Sequence, residues 1–183
     1  WAGGVSADNS LTAGMKFDTK CIDAAKQKAL LASPKVRPIR LEDGAYKGQD
    51  VYVIIVHPYQ ATDLRQDPVW NQAQRDANVR GDSNPIISGA LGIYNGCAIY
   101  QHELAYTFSN GSSVACARAL LLGQQAGVFI KGTDAEWVEK SFDYGNKGGI
   151  CAGYIFGVQK TKFNSKDYGL ITIATAATTA STS

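Results

Sequence analysis

The stretch VYVIIVHPYQATDLR, residues 51–65, contains the change of pattern that sets the fold around it. Six largely apolar residues, most of them β-branched, predict a strand that is buried on both faces. His57 and Pro58 follow, and proline suits the first position of a helix. The sequence therefore predicts a junction at which a buried strand ends and a short helix begins.

The histidine at this junction has two interpretations. A base at the carboxyl end of a strand would suggest catalysis, whereas a residue just before Pro58 can cap the new helix or pack beneath it. His57 has no further metal-binding side chain at helical spacing, so a metal site is not predicted. We favour the structural interpretation, in which His57 caps the helix or packs under it.

Amphipathic patterns predict one helix before this junction and another after it. Residues 18–32 have Asp18 as a candidate cap, and Pro34 ends their pattern. Asp67 and Pro68 mark the start of the later helix in the same way. The apolar stripes predicted for the two helices are Ile22, Ala25, Ala29 and Leu30 for the first, and Trp70, Ala73 and Ala77 for the second.

Most of the remaining chain favours strands. Residues 37–56 have the pattern of two strands around a turn, and Asn95-Gly96 is a strong turn signal. The connections are too short for repeated crossovers, which indicates an α+β fold with mostly antiparallel pairing. The glycine-rich segments GALGIYNG and GNKGGICAG lack the context of a nucleotide-binding loop, so we interpret them as turns. The late runs that favour strands are VACARALLLG, WVEKSFDYG, GYIFGVQKTKF and YGLITIATAATT.

Length and charge limit the classes of function. A chain of 183 residues that is 45% hydrophobic can bury a sizeable core as one unit or as two small ones. The net charge of +2 is spread along the chain without a basic cluster, which argues against strong nucleic-acid binding. The longest apolar run is interrupted by Arg118 and two glutamines, so no membrane association is predicted.

The four cysteines, Cys21, Cys97, Cys116 and Cys151, are widely spaced and form no C-x-x-C pair. Each has small or apolar neighbours in sequence, and cysteine readily behaves as a small hydrophobic residue. We therefore predict four reduced, buried thiols and neither a zinc site nor a redox motif.

A hydrolytic site is the main alternative from another class. Cys97, His102 and Glu103 come nearest to a nucleophile, a base and a residue that orients the base. In an extended strand, residues five apart point to opposite faces, so Cys97 and His102 would not meet without a bulge. This hypothesis depends on proximity in sequence alone.

Five segments carry a family resemblance: RPIRL, VYVIIVHPYQATDLR, NPIISGALGIYNGCAIYQHE, ARALLLGQQAGVFI and, above all, WVEKSFDYGNKGGICAGYIFGVQKTKFNSKDYGLITIATAA. In this order they are similar to the C-terminal half of the major capsid proteins of tailed bacteriophages. The similarity covers about residues 18–177, and the branch it resembles contains coat proteins like that of coliphage N-four.

The resemblance implies the capsid fold typified by phage Hong Kong 97, which has a peripheral domain, an axial domain, an N-terminal arm and an extended loop. The arm, the loop and the family's long helix are expected upstream of Trp1, so the apolar faces of GYIFGVQKTKF and YGLITIATAA are expected to be uncovered in this chain. The implied division is a loop-like leader over 1–17, peripheral-domain helix and strand over 18–50, mostly axial domain over 51–130, strands returning to the peripheral domain over 131–177, and a flexible tail over 178–183.

The resemblance also implies a function. The chain would be a structural subunit that assembles with itself into pentamers and hexamers of an icosahedral shell, with neither catalytic residues nor a cofactor or metal. Portal and decoration proteins would be further partners, packaged double-stranded DNA would be held weakly, and the location would be the virion after assembly in the host cytoplasm. A non-viral shell protein of the encapsulin type and a small hydrolase using His57 or His102 are the alternatives.

Aromatic residues on glycine-rich loops are candidates for the contacts between subunits, because aromatic side chains are enriched at interfaces. Their alternative interpretation is an ordinary place in the core. The candidates are Tyr94, Tyr100, Tyr106 and Phe108.

Overall fold

A computed structural model describes residues 7–40, 48–76 and 90–179 of the chain. It divides into two compact units, one formed by the chain up to Gln124 together with the chain from Gly169, and the other by Gln125–Tyr168. The helices are α1 (Thr19–Leu31), α2 (Pro58–Gln66) and α3 (Pro68–Asp76), and the strands are β1 (Ile39–Arg40), β2 (Asp50–Val56), β3 (Ala90–Tyr94), β4 (Cys97–Gln101), β5 (Thr107–Ser109), β6 (Ala115–Leu122), β7 (Gly127–Phe142), β8 (Lys147–Lys160), β9 (Lys162–Phe163), β10 (Lys166–Asp167) and β11 (Leu170–Ala176).

The first unit is built on one sheet with the strand order β11-β6-β2-β4-β3, to which β1 adds beside β2 and β5 beside β6. Only β2 and β4 run parallel among these pairs, and all the others are antiparallel. Parallel neighbours need a crossover, and the connection between these two includes α2 and α3. The predicted α+β fold with mostly antiparallel pairing is confirmed.

Strand β2 lies at the centre of this sheet. One of its faces is buried, whereas Val53 and Ile55 on the other face are half-buried, so the predicted burial on both faces is complete for one face only. Ile54 and Val56 are fully buried, and the Tyr52 hydroxyl donates a hydrogen bond of 2.9 Å to the carbonyl of Val36. Leu64 of α2 and Trp70 of α3 belong to the same core. The strand-to-helix junction therefore supplies much of the apolar centre of the unit.

Helix α1 contributes Ile22, Ala25 and Ala29 to this core, as predicted. The prediction that Leu30 belongs to the same buried stripe is wrong, because its side chain is 42% exposed. Each residue advances an α-helix by about 100°, which places Leu30 roughly that far from the centre of the stripe. In α3, Trp70 is buried and Ala73 is half-buried, while Ala77 lies outside the described residues.

Described residues near both ends of the chain pack against the first unit. Leu11 and Phe17, which lie in the irregular segment before α1, are both buried at 1% exposure. Thr178, the first residue of the expected tail, donates from its backbone N–H and its hydroxyl to the carboxylate of Asp63. The buried Asp63 carboxylate also lies 3.6 Å from the Lys16 ammonium group, so it connects both ends of the described chain to α2.

The second unit is a long antiparallel ribbon formed by β7 and β8, followed by the small hairpin β9–β10. The ribbon pairs Gly127 with Lys160 at one end and Phe142 with Lys147 at the other. Register shifts between Lys131 and Glu136 place the irregular residues in β7, so β8 alternates regularly. The interpretation of GNKGGICAG as turns is wrong from Lys147 onward, because that part belongs to β8.

These units are bounded differently from the segments expected at the sequence level. Strand β11 lies within the expected segment 131–177, yet it pairs with β6 along Leu170–Ala176 in the sheet of the first unit. Residues 173–176 are buried there, so the expectation of an uncovered apolar face on YGLITIATAA is wrong. The assignment of the two units to a peripheral and an axial domain stays a prediction.

One carboxylate caps two helices of the first unit. Asp67 Oδ1 accepts a hydrogen bond of 2.9 Å from the N–H of Val69 at the start of α3, which confirms its predicted role as a cap. Its Oδ2 accepts from the backbone N–H and the hydroxyl of Thr19, at 2.9 and 2.8 Å, at the start of α1. Burial by itself would raise the pKa of Asp67, but the hydrogen bonds from Thr19 and Val69 outweigh it and lower that pKa below its usual 3.8.

We expect Asp67→Ala to lower the free energy of unfolding by about 1–3 kcal/mol, because the donors of two helix starts lose their acceptor. Asp67→Asn is the matched control, since its amide oxygen keeps one acceptor, and it should lose less. Because the folded pKa is depressed, the wild-type advantage over Asp67→Asn should be present above about pH 4 and disappear as the pH falls through the folded pKa. Urea unfolding across that range measures both effects, and an alanine variant as stable as the wild type would contradict the double cap.

Candidate functional site

His57 lies at the N-terminus of α2 and caps it. Its ring Nδ1 accepts a hydrogen bond of 3.2 Å from the backbone N–H of Tyr59. The backbone N–H of His57 donates to Oε1 of Gln60 at 3.3 Å. Burial lowers the pKa of His57, and the accepting nitrogen must be unprotonated for this bond to form. The structural interpretation of His57 as a helix cap is confirmed.

Cys97, His102 and Glu103 do not form a catalytic group. Cys97 is fully buried in the core, and burial raises the pKa of its thiol to about 11, which disfavours the thiolate needed for attack. His102 and Glu103 are exposed. The Nδ1 atom of His102 accepts from the N–H of Leu104 at 3.1 Å, so the side chain closes a local turn. The proposed nucleophile and base lie in different environments.

The four cysteines are free, as predicted, but they are not all buried. Cys97 and Cys116 are buried and Cys21 is half-buried, with burial raising the pKa of the Cys21 thiol to about 12. Cys151 lies on β8 and is exposed, so the prediction of burial is wrong there. Within 7–40, 48–76 and 90–179, no three His, Cys, Asp or Glu side chains are grouped to hold a metal ion. No helix in these ranges is long and apolar enough to cross a membrane.

The four aromatic interface candidates do not form one patch. Tyr94 is partly buried against the core, with its ring 6.3 Å from that of Trp70, whereas Tyr100 on β4 is 40% exposed. Tyr106 and Phe108 stack at 5.9 Å, next to β6. A role for any of the four in subunit contacts stays a prediction.

Arg118 holds the stacked pair in place. Its guanidinium group lies 5.2 Å from the Tyr106 ring centroid and 4.9 Å from that of Phe108, and it pairs with the Asp8 carboxylate at 2.6 Å. A cation over aromatic faces that is also bound to a carboxylate has little freedom left. Tyr106 remains 60% exposed, so this cluster presents an aromatic surface to the solvent.

A larger apolar surface lies on β8 of the ribbon. Successive side chains of a strand point to opposite faces, so alternate positions share one face. Aromatic contacts agree with this alternation, because the Phe156 ring lies 5.5 Å from the ring of Tyr154 and 5.8 Å from that of Phe129 across the ribbon. We name this face the apolar stripe, and its β8 members are Ile150, Ala152, Tyr154, Phe156 and Val158.

The stripe is open to the solvent. Exposure is 66% for Ile150, 59% for Phe156 and 71% for Val158. Burial of each such side chain is worth about 1.5–3 kcal/mol, so the exposed stripe holds a large driving force for association. The expectation of an uncovered apolar face on GYIFGVQKTKF is confirmed for this strand.

The opposite face of β8 carries fewer large side chains. Gly149, Gly153 and Gly157 alternate there with Cys151 and Ile155. A Cβ atom added at Gly153 or Gly157 would have no neighbour within 4 Å. The sequence itself shows large apolar residues alternating with glycine at every second position. Because glycines are also turn signals, this pattern does not identify the segment as a strand.

Comparison with known proteins assigns the family. A family model described as "Phage capsid protein" matches residues 2–179 of the chain. The chain belongs to this phage capsid protein family. It is also 29% identical over 167 residues to the major capsid protein of Pseudomonas phage KPP25, an alignment that covers 82% of this chain and 43% of that protein.

Solved phage capsids have the same fold as the capsid chain. The capsid of Ralstonia phage GP4 superposes with a TM-score of 0.72 at 30% identity, covering 97% of this chain and 52% of that one. The capsid asymmetric unit of cyanophage Pam1 superposes with a TM-score of 0.73 at 22% identity, covering 91% and 48%. The capsid chain therefore spans about half the length of the relatives that it matches.

These matches confirm the predicted resemblance to major capsid proteins and the predicted phage capsid fold. The family is structural, and neither the hydrolase nor the encapsulin alternative is favoured. The geometry of His57, His102 and Cys97 agrees, because each side chain has a structural place.

We expect His57→Ala to destabilise the capsid chain by about 0.5–2 kcal/mol through loss of the helix cap, without removing any chemistry. Since burial lowers the folded pKa of His57 from 6.5, its contribution is present above about pH 6.5 and is lost as the pH falls through the folded value. Urea midpoints at about pH 5 and pH 8 should therefore differ more for the wild type than for His57→Ala.

The matched control is His57→Asn, whose side-chain oxygen can cap without titrating near neutral pH. It should retain most of the stability and lose the pH dependence. A hydrolytic activity that disappears in both variants would contradict the capping role.

Proposed function

We propose that this chain forms part of a major capsid subunit that assembles with copies of itself into the icosahedral shell of a phage. The observation that supports the proposal most strongly is the exposed apolar stripe on a chain of the capsid family. A two-stranded ribbon is marginal by itself in water, and three or more strands or a packed partner are needed to stabilise one. The stripe is buried when the shell forms.

Shell geometry explains why such a subunit needs several different adhesive surfaces. Pentamers and hexamers close through contacts in which one patch meets a different patch of the next copy. The apolar stripe is one such surface, and the cluster of Tyr106, Phe108 and Arg118 is a second of different chemistry. Tyr100 is a further exposed candidate on β4, whereas Tyr94 is partly buried and packs against the core.

The charge of the chain suits a shell that encloses DNA without gripping it. Each phosphate contact by Lys or Arg adds salt-dependent affinity, and a strongly basic inner surface would immobilise the packaged duplex. This chain has 18 basic and 16 acidic residues, which gives only a small excess of positive charge. We propose weak DNA contact inside the virion, with assembly in the bacterial cytoplasm and portal or decoration proteins as additional partners.

The apolar stripe provides the test. In the capsid protein as its phage encodes it, the double change Tyr154→Ser and Phe156→Ser should reduce the yield of closed shells at least about tenfold. Each large side chain removed costs more than about 1.4 kcal/mol of burial, which corresponds to a factor of ten in an association constant. Gradient sedimentation and negative-stain electron microscopy measure the yield.

Gln159→Ser is the matched control, because Gln159 is an exposed residue of the same strand on the opposite face. It should assemble like the wild type. Shells formed at wild-type yield by the double variant would show that the stripe is not an assembly surface, and a wild-type protein that forms no shells would refute the proposed function.

A further inference from the structure

The turn that joins β7 to β8 has an unusual backbone. Asp143 and Tyr144 both have φ near +52°, and Gly145 has φ +89°. The turn is closed by a hydrogen bond of 2.9 Å from the N–H of Asn146 to the carbonyl of Asp143. Three consecutive residues therefore lie in the left-handed region at the end of the ribbon, and Tyr144 is fully exposed, at 109% of its reference area.

Several other tight turns of this chain place residues with better local preference in the same region, although Ser113 at φ +57° and Gln125 at φ +62° lie there as well. Asn95 and Gly96 have φ values of +46° and +68°, and Asn164 and Ser165 have values of +48° and +62°. Asparagine and glycine adopt this region readily, whereas a bulky residue there is strained. Local conformational preference therefore does not explain a tyrosine at position 144. A strained residue of this kind points to a functional contact.

The base of the turn is firmly built. The Phe142 ring lies over Gly149 on the neighbouring strand, where an added Cβ would come within 2.6 Å of the ring. The Lys140 ammonium group lies 5.3 Å from the centroid of the same ring. Phe142 thus contacts Gly149 of the neighbouring strand and lies near the Lys140 ammonium group, at the base of the turn that carries Tyr144.

We propose that Tyr144 is an anchor residue that inserts into the surface of a neighbouring copy of the capsid protein. This inference rests on the proposed shell function and adds a contact that is distinct from the apolar stripe. Tyrosine is among the residues that dominate interface energies, and its two side-chain torsions make it inexpensive to immobilise.

A second copy is the occupant that the surroundings favour. Shells multiply one chain, so a projecting residue on each copy meets the same chemical surface on its neighbour. The turn carries the carboxylate of Asp143, and Lys140 and Lys147 lie at its base, so its charges are mixed and form no basic cluster that would select the phosphates of packaged DNA.

The experiment measures subunit stability and shell assembly separately, because the same substitution should leave stability unchanged or raise it while it weakens assembly. In the capsid protein as its phage encodes it, Tyr144→Asn relieves the strained backbone, so the melting temperature of the unassembled protein should stay the same or rise. The protein concentration needed for shell assembly should nevertheless increase at least about tenfold, as expected for loss of an interface anchor. Tyr144→Phe keeps the ring and should restore assembly.

Asn164→Gly is the matched control, because it changes a residue at a different left-handed turn and should leave assembly unchanged. A photoreactive benzoylphenylalanine at position 144 should give a covalent dimer of the capsid protein in assembled shells. A cross-link to a different protein, or none in intact shells, would overturn the proposal. If the wild type forms shells and Tyr144→Asn assembles equally well, the anchor role is refuted and the shell function is not. If the wild type forms no shells, the shell function itself is refuted.

Discussion

The side chain of Gln60 is the interaction on which the first unit depends. It is fully buried at the start of α2, and its Nε2 donates to the carbonyl of Ala117 at 3.1 Å and to the hydroxyl of Thr175 at 2.7 Å. Its Oε1 accepts from the N–H of His57 at 3.3 Å. One amide thereby joins the end of β2, helix α2, β6 and β11. A buried polar group left without partners costs about 1–3 kcal/mol, so these four elements are held in a single arrangement.

Local parts of this arrangement could be predicted from the sequence. The change from β-branched residues to His57-Pro58 marks both the strand and its helix, because proline fixes the first turn and the preceding residue can cap it. Asp67-Pro68 repeats the signal. The pairing of β11 with β6 could not be predicted in this way, because no short-range signal identifies the partner of a distant strand. The division between the ribbon unit and the first unit likewise depends on long-range strand pairings.

The candidate site shows where residue preference is ambiguous. Aromatic residues on loops are candidates for subunit contacts, but their burial depends on tertiary packing that the sequence does not show. Tyr94 packs near Trp70, whereas Tyr106 is exposed. The glycines of β8 favour turns by local preference, yet Gly153 and Gly157 lie in a regular strand with open space around them. Tyr144 has no sequence signal at all. Only the backbone angles show that it lies where a small residue would be expected.

The proposed shell function would link the folding of the ribbon to assembly. Each of its strands extends for about 50 Å at roughly 3.4 Å per residue, and its residues are exposed except for Gly149. Hydrogen bonds between two strands are insufficient to stabilise such a length in water, so burial of the apolar stripe must provide the remaining free energy. Under the proposed shell function, any contact that covers the stripe would stabilise the ribbon, and an ordered ribbon would present Tyr144 to the next contact. Order in the ribbon and closure of the shell would then be coupled, so that each added subunit strengthens the surfaces that bind the next one.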